Sequence, residues 1–284
     1  MHILLQPLSF CVMRAVGHVL HTLPENWSVL GVTSLDNLLY VLRVVQTSEQ
    51  IEVYDMDSYR LQRSLTVPGF RAMADMTACA HNSCAYISDW ANKCIHRVGL
   101  PHGADVTNWP VNDKPAGLSV TDTHSVLVTS NEVRKIKEFS THGKLLRQIQ
   151  LPQDVMSPRH TVQLSDKQFI LSHGAYADPV RRVCLIGSDG HVVKTYGGPK
   201  GSGSQQMTVP CHLAVDTNGF VFVADVNNYR VLLLSPELTY VRDVVSRDQL
   251  KWNPERLFLD VQRRRLYVAD SNWPMVGRVV VVSV

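Results

Sequence analysis

The sequence predicts an all-β fold: a six-bladed β-propeller of four-stranded antiparallel blades, its ring closed by an N-terminal strand pairing with the last blade. Three observations predict it. A unit of four short strands, each followed by a turn, recurs along the 284 residues. The unit returns at a spacing of 43, 45, 43, 52 and 44 residues, measured between Trp27, Phe70, Pro115, Pro158, Pro210 and Pro254. Repeats of about this length with four strands each are the signature of a propeller. Finally, the sixth unit stops after three strands, and a segment that matches the missing one lies near the start.

The clearest unit spans residues 210–245. Leu213–Val215 and Phe220–Ala224 are apolar, aromatic and β-branched, and Thr217, Asn218 and Gly219 between them make a hairpin turn. Residues 225–229 form a second polar turn, Val231–Leu234 a third strand, 235–238 a third turn, and Tyr240–Val245 a fourth strand. Phe220, Val221, Phe222 and Val223 cannot all point one way, so the sheet is apolar on both faces. Neighbouring copies must cover it.

The other units follow in order as one domain over 1–284, with blades at about 27–66, 70–110, 115–151, 158–198, 210–246 and 254–284 plus 10–17. In the second, the fourth strand, ADVTNWPV, is poorly patterned. In the fourth, His173–Arg181 reads as an insertion between the second and third strands, expected to project over a binding face. Before the fifth, GGPKGSGSQQM adds length, and its glycines suggest a mobile connection; it lacks the residue order of a phosphate-binding loop. Outer strands read apolar, apolar, basic, any, apolar, and Val12–Val16 fits that frame, so this segment is expected to complete blade six and remove two exposed edges.

Composition narrows the function classes. Lys and Arg (28) barely exceed Asp and Glu (25), giving +3, far from the balance of a strongly basic nucleic-acid binder. Six cysteines without compact paired spacing read as buried thiols of a reducing, cytoplasmic setting. The first residues lack the basic region of a secretory signal, and no run approaches the roughly 18 apolar residues of a membrane span. No nucleophile elbow and no H-E-x-x-H occur. Cys79, His81, Cys84, Cys94 and His96 suggest zinc, but the strand between Cys84 and Cys94 separates them by roughly 15 Å at about 3.3 Å per residue, which rules out a closed site of that composition.

Asp89, Asp225 and Asp270 each end a strand before a turn containing Asn, and Asp216 and Asp260 stand at matching places; all are read as turn-fixing acceptors. His160 and His212 both stand two residues after a marker proline, with Arg256 at the same place after Pro254. Equivalent repeat positions occupy equivalent places, which puts all three round the mouth of the central channel. Metal ligation, anion contact and plain solvated loop residues are all compatible with that placement.

Pro210, Asp216, Gly219, Val223, Ala224, Asp225, Asn228, Arg230 and Val231 resemble the NHL repeat. The frame returns in Pro254, Asp260, Tyr267, Val268, Ala269 and Asp270, and more weakly in Asp89 and Asn92. The chain resembles the propellers at the C-terminal end of tripartite-motif proteins, which bind proteins or single-stranded RNA behind a RING and B-box. No RING pattern lies in these 284 residues, so the resemblance implies at most the substrate-recognition part of a ubiquitin ligase system. It further implies one binding face, formed by the loops before each first strand and between second and third strands. That face would carry Trp90, Lys93, Arg134, Lys135, Arg159, His160, His173, Tyr176, Arg181, Arg182, His212, Tyr229, Arg230, Arg256 and Trp273, with Arg263, Arg264 and Arg265 on the other.

The resulting expectation is a monomeric, non-catalytic binding scaffold for a protein or single-stranded RNA, with a more basic binding face than the molecule as a whole. No cofactor, metal, DNA or membrane partner is expected. The alternative is a propeller enzyme with a channel-mouth metal site, resembling the peptide-amidating lyase or lactone-hydrolysing propellers; the lyase has histidine directly after proline, whereas here the order is Pro-x-His.

Overall fold

A computed structural model describes residues 16–45, 48–66, 69–165, 167–203 and 205–284. They form six four-stranded antiparallel sheets. Blade one is β2 (Val29–Leu35), β3 (Leu38–Val45), β4 (Ser48–Asp55) and β5 (Leu61–Thr66); blade two is β6 (Met73–Cys79), β7 (Cys84–Asp89), β8 (Cys94–Gly99) and β9 (Ala104–Pro110). Blade three is β10 (Pro115–Val120), β11 (Val126–Ser130), β12 (Lys135–Phe139) and β13 (Leu145–Gln150); blade four is β14 (Pro158–Ser165), β15 (Gln168–His173), β16 (Arg181–Gly187) and β17 (Val192–Gly198). Blade five is β18 (Val209–Val215), β19 (Val221–Val226), β20 (Arg230–Leu234) and β21 (Tyr240–Val245). Blade six is β22 (Asn253–Asp260), β23 (Arg265–Asn272) and β24 (Val276–Ser283), completed on the outside by β1 (Val19–Thr22).

The two-sided apolar pattern has the consequence expected of it: one buried cluster forms at each of the six blade interfaces. Leu42, Ile51 and Ile87 pack between blades one and two, Tyr86 and Val128 between two and three, and Leu127 and Phe169 between three and four. Ile170 and Val223 lie between four and five, Leu233 and Val268 between five and six, and Val281 and Val41 between six and one. Each blade is thus held by its neighbours, and the last interface is as apolar as the rest.

The ring does close through the N-terminal segment, but the closing strand is Val19–Thr22. Val12–Ala15 lie outside the described residues, and Val16 precedes the strand. Val19 opposes Val282 and Thr22 opposes Val280; Leu23 N–H then donates to Val279 O at 2.9 Å, and Asn26 and Gly277 exchange two backbone hydrogen bonds. On the lower face, Gly17 N–H donates to Val244 O at 2.8 Å and Val284 N–H to Arg264 O at 3.0 Å.

One further expectation holds and one changes. The weak ADVTNWPV stretch does form an outer strand, β9, with Trp109 buried against Tyr86. The glycine-rich connection before blade five is tied to its neighbours: Asn228 donates to Gly201 O, and Arg230 to Ser202 O and Gln206 O.

The repeat residues share a job. The Asp225 carboxylate accepts from Thr208 N–H, from Asn228 and from Arg230, while Asp270 accepts from Lys251 and Trp252 N–H and from Arg278. Each thereby fastens the chain entering its inner strand to the second and third strands. Asp89 does this with Arg71 N–H, Asn92 and His96. Asp216 and Asp260 fix lower turns, accepting from Asn218 and Phe220 N–H and from Arg263 N–H respectively.

Candidate functional site

Every inner strand carries a register shift near its upper end: between Val29 and Gly31, Met73 and Asp75, Pro115 and Leu118, Pro158 and His160, Pro210 and His212, and Pro254 and Arg256. A bulge places one extra residue and re-aims the side chains beside it. Equivalent registers make Gly31, Asp75, Gly117, His160, His212 and Arg256 one ring. Blade two is therefore anchored at Met73, and Asp75, absent from the expected site, is the counterpart of the two histidines.

These residues do not stand round an open mouth; they reach across it. His160 and His212 stack at 3.7 Å between ring centroids. Asp75 Oδ2 accepts from His212 Nε2–H at 3.3 Å and from Leu118 N–H at 2.8 Å, while Oδ1 accepts from Met76 N–H at 2.9 Å. Arg256 Nε lies 3.4 Å from Asp75 Oδ1 and donates to Ala74 O at 3.1 Å. All three acid and imidazole side chains are buried.

The two glycines make this crossing possible. A Cβ on Gly31 would lie 2.6 Å from Met76 Cβ, and one on Gly117 would lie 2.4 Å from Arg159 O and 2.7 Å from His160 Cδ2.

Electrostatics follow from burial and partners. Burial by itself would raise the Asp75 carboxyl, but the charge and hydrogen bond of His212, with Arg256 and His160, more than offset it and hold it down to about 2. Burial first, and His212 second, push His160 down to about 3, so it is neutral at physiological pH. Its tautomer is fixed: Nδ1 accepts from Leu213 N–H at 3.3 Å and Nε2–H donates to Leu118 O at 2.9 Å. His212 repeats the pattern, with Nδ1 accepting from Leu257 N–H at 3.4 Å. Each imidazole pins its own inner strand to the next.

Asp75, His160 and His212 bring their donor atoms within 4.8 Å of one another, as do Asp89, Cys94 and His96. In the first group the Nδ1 lone pair of each histidine is taken by a backbone N–H, and each Nε2 carries the proton it donates. A metal would have to displace those bonds, so the residues present do not fit one well. Asp89, Cys94 and His96 form blade two's version of the acid–base clamp, at a place where blades five and six use arginine; Cys79 and Cys84 pair at the opposite end of that sheet.

The expected face residues divide into two sets. Trp90 (42% exposed), Tyr176 (69%) and Trp273 (62%) stand out on the upper turns of blades two, four and six. Lys114 and Lys200 lie over the first two rings at 5.5 and 4.0 Å, and Arg247 lies over Tyr229 at 4.5 Å. Lys93 is exposed, and Arg134 and Lys135 are half-buried beside it on the adjoining blade.

The remaining residues, Arg159 excepted, are committed internally. His173 ends β15 and Arg181 begins β16, so the insertion is only 174–180. His173 is buried, its Nδ1 bonded to Met156 O, and burial pushes it down to about 4. Arg181 is buried and ties the insertion down through Thr208 O and Tyr176 O. Arg182 lies 3.6 Å from Asp154, and Arg230 is held by Asp225 at 3.0 Å. Arg256 belongs to the crossing cluster. Of the eight expected face cations, Arg181, Arg230 and Arg256 are therefore held by internal partners and Arg182 by a surface acid.

No family model and no curated protein matches the chain. Solved structures share its fold. A streptogramin B lyase superposes with a TM-score of 0.63 at 12% identity, covering 93% of this chain and 88% of that one. Virginiamycin B lyase from Staphylococcus aureus gives 0.60 at 10%, covering 90% and 87%. The hydrazine synthase of Kuenenia stuttgartiensis gives 0.62 at 14%, covering 92% and 97%. At these identities the likeness is one of fold.

Proposed function

We propose that the chain is a non-catalytic propeller that binds a protein partner on its upper loop face. The observation that carries this reading is the exposure of Trp90, Tyr176 and Trp273 on three alternate blades of that face. Large aromatics left in water on a rigid scaffold mark a contact surface, and aromatic anchors dominate protein interfaces. Loss of Arg181, Arg182, Arg230 and Arg256 to internal pairs favours protein over single-stranded RNA, because phosphate binding needs free cations. The five buried free thiols among the described residues, Cys79, Cys84, Cys94, Cys184 and Cys211, suit a cytoplasmic setting. The NHL-type reading, and with it substrate recognition for a ubiquitin ligase, rests on the repeat residues alone.

The enzyme alternative draws on the lyase and synthase neighbours and on the acid–imidazole cluster. A general base needs a free lone pair, and both Nδ1 atoms have theirs filled. The test is capture from native extract with and without ribonuclease, repeated with Trp90→Ala and Trp273→Ala and with the lower-face control Arg264→Ala. A partner that survives ribonuclease, is lost with the tryptophans and is kept by the control supports the reading. Loss on ribonuclease treatment would move it to RNA, and stoichiometric metal in protein purified without added metal would move it to the enzyme.

A further inference from the structure

The bulge residues, one step before the crossing ring, are Leu30, Ala74, Ala116, Arg159, Cys211 and Glu255. Cys211 and Glu255, on adjacent blades, meet at 3.8 Å between Sγ and Oε2, and Arg159 lies close enough to favour the charged forms of both. The mouth above the crossing cluster is thus two-sided. Blades one to three supply small or apolar side chains, and blades four to six supply a guanidinium, a thiol and a carboxyl.

Charge accounting singles out one of these groups. Arg256 is balanced by Asp75 at 3.4 Å and also stands 3.9 Å from Glu255. Arg159 has no acid within 4 Å and no hydrogen bond from its side chain among the described residues, and its Nε is shut off from solvent with no acceptor. Its terminal nitrogens, which are not shut off in this way and bond no described group, are left to an outside acceptor. The planar fork of a guanidinium matches a carboxylate. A doubly charged phosphate suits the place less well, because Glu255 and Asp75 are near.

We propose that the channel mouth binds a carboxylate of the partner polypeptide, either its C-terminus or an acidic side chain, through Arg159, with the adjoining carbon chain against Ala74 and Ala116. This rests on the protein-binding reading above and names what that partner must present.

The test follows the backbone amide signals of nitrogen-15-labelled full chain, which also report on the variants, and in wild type the Arg159 Nε–H signal, assigned by its loss in Arg159→Lys. Four probes are titrated: acetyl-trialanine with a free carboxylate, the same peptide as its amide, an acetyl-Ala-Asp-Ala amide, and inorganic phosphate. The expected result is a saturable shift with the free-acid or the aspartate peptide, the stronger of the two identifying terminus or side chain, and none with the trialanine amide. Arg159→Ala should weaken binding by roughly tenfold or more, as for a charge-assisted bond. Glu255→Gln should strengthen it, by relief of like-charge repulsion. Arg159→Lys, which keeps the charge and loses the fork, covers the case in which Arg159→Ala fails to fold, and should bind more weakly than wild type. The proposal is overturned by equal binding of acid and amide, by phosphate binding more tightly than either carboxylate, by no saturable shift, or by weaker binding in Glu255→Gln. Because the probes are independent of the natural partner, their failure alongside ribonuclease-resistant capture would remove the mouth assignment alone.

Discussion

Asp75 and His212 stand 137 residues apart in the chain and meet at 3.3 Å, Oδ2 to Nε2, from opposite sides of the ring. A contact of this kind couples blades that share no sheet. With Arg256 bonded to Ala74 O past the gap left by Gly31, it makes the blades answer to one buried charge.

Asp75→Asn should therefore destabilise the fold by about 3–5 kcal/mol, because the Arg256 guanidinium loses its buried counter-charge. The double variant Asp75→Asn with Arg256→Met should recover part of that loss. Urea unfolding of the two variants measures both quantities; a single variant within about 0.5 kcal/mol of wild type would contradict the role given to Asp75.

Stability should decline as pH falls below about 6.5. His160 and His173 titrate at about 3 and about 4 in the folded chain, below the ordinary 6.5. The unfolded state thus binds their protons first, and their contribution, complete above pH 6.5, is lost as pH falls toward those values. Asp75, held to about 2 against an ordinary 3.8, adds a loss of the same sign between about pH 4 and 2. The urea midpoint should be level from pH 8 to 7 and fall between 6.5 and 4, less steeply in His173→Gln. A midpoint unchanged between pH 7 and 5 would refute this.

Gly31→Ala and Gly117→Ala should each cost about 1–3 kcal/mol, since their Cβ atoms would press on backbone and ring atoms at the crossing. Gly198→Ala, with nothing within 4 Å of its Cβ, is the control. Thermal melts of the three decide it: equal melting points would mean that the crossing tolerates the extra atoms.

Deleting residues 1–22 removes β1 and bares the edge of β24. A lower melting temperature and self-association in size-exclusion chromatography are expected, because an unpaired edge recruits other strands. Monomeric protein with an unchanged melt would show that closure by β1 adds nothing.

The propeller was legible because its signals repeat: a two-sided apolar pattern leaves only a ring of sheets, and Pro158, Pro210 and Pro254 mark true equivalents. His160, His212 and Arg256 were legible as a group for the same reason. Asp75 was not, because blade two has no marker proline and Phe70 stands three residues too early; Met73-Ala74-Asp75 is the true match to Pro158-Arg159-His160. The fate of the face arginines was also hidden. Whether Arg181 faces solvent or Thr208 O depends on how far β16 extends, and that is set by pairing across the sheet rather than by residue type.

Closure by β1 also decides how the molecule can be mounted. Gly17 and Val284 are both fastened on the lower side, to Val244 O and Arg264 O. A label or tether joined at Val284 starts from beneath the disc, so the aromatic turns of blades two, four and six point away from it. Anchored through Val284, the disc offers its upper side outward, like a dish on a stand.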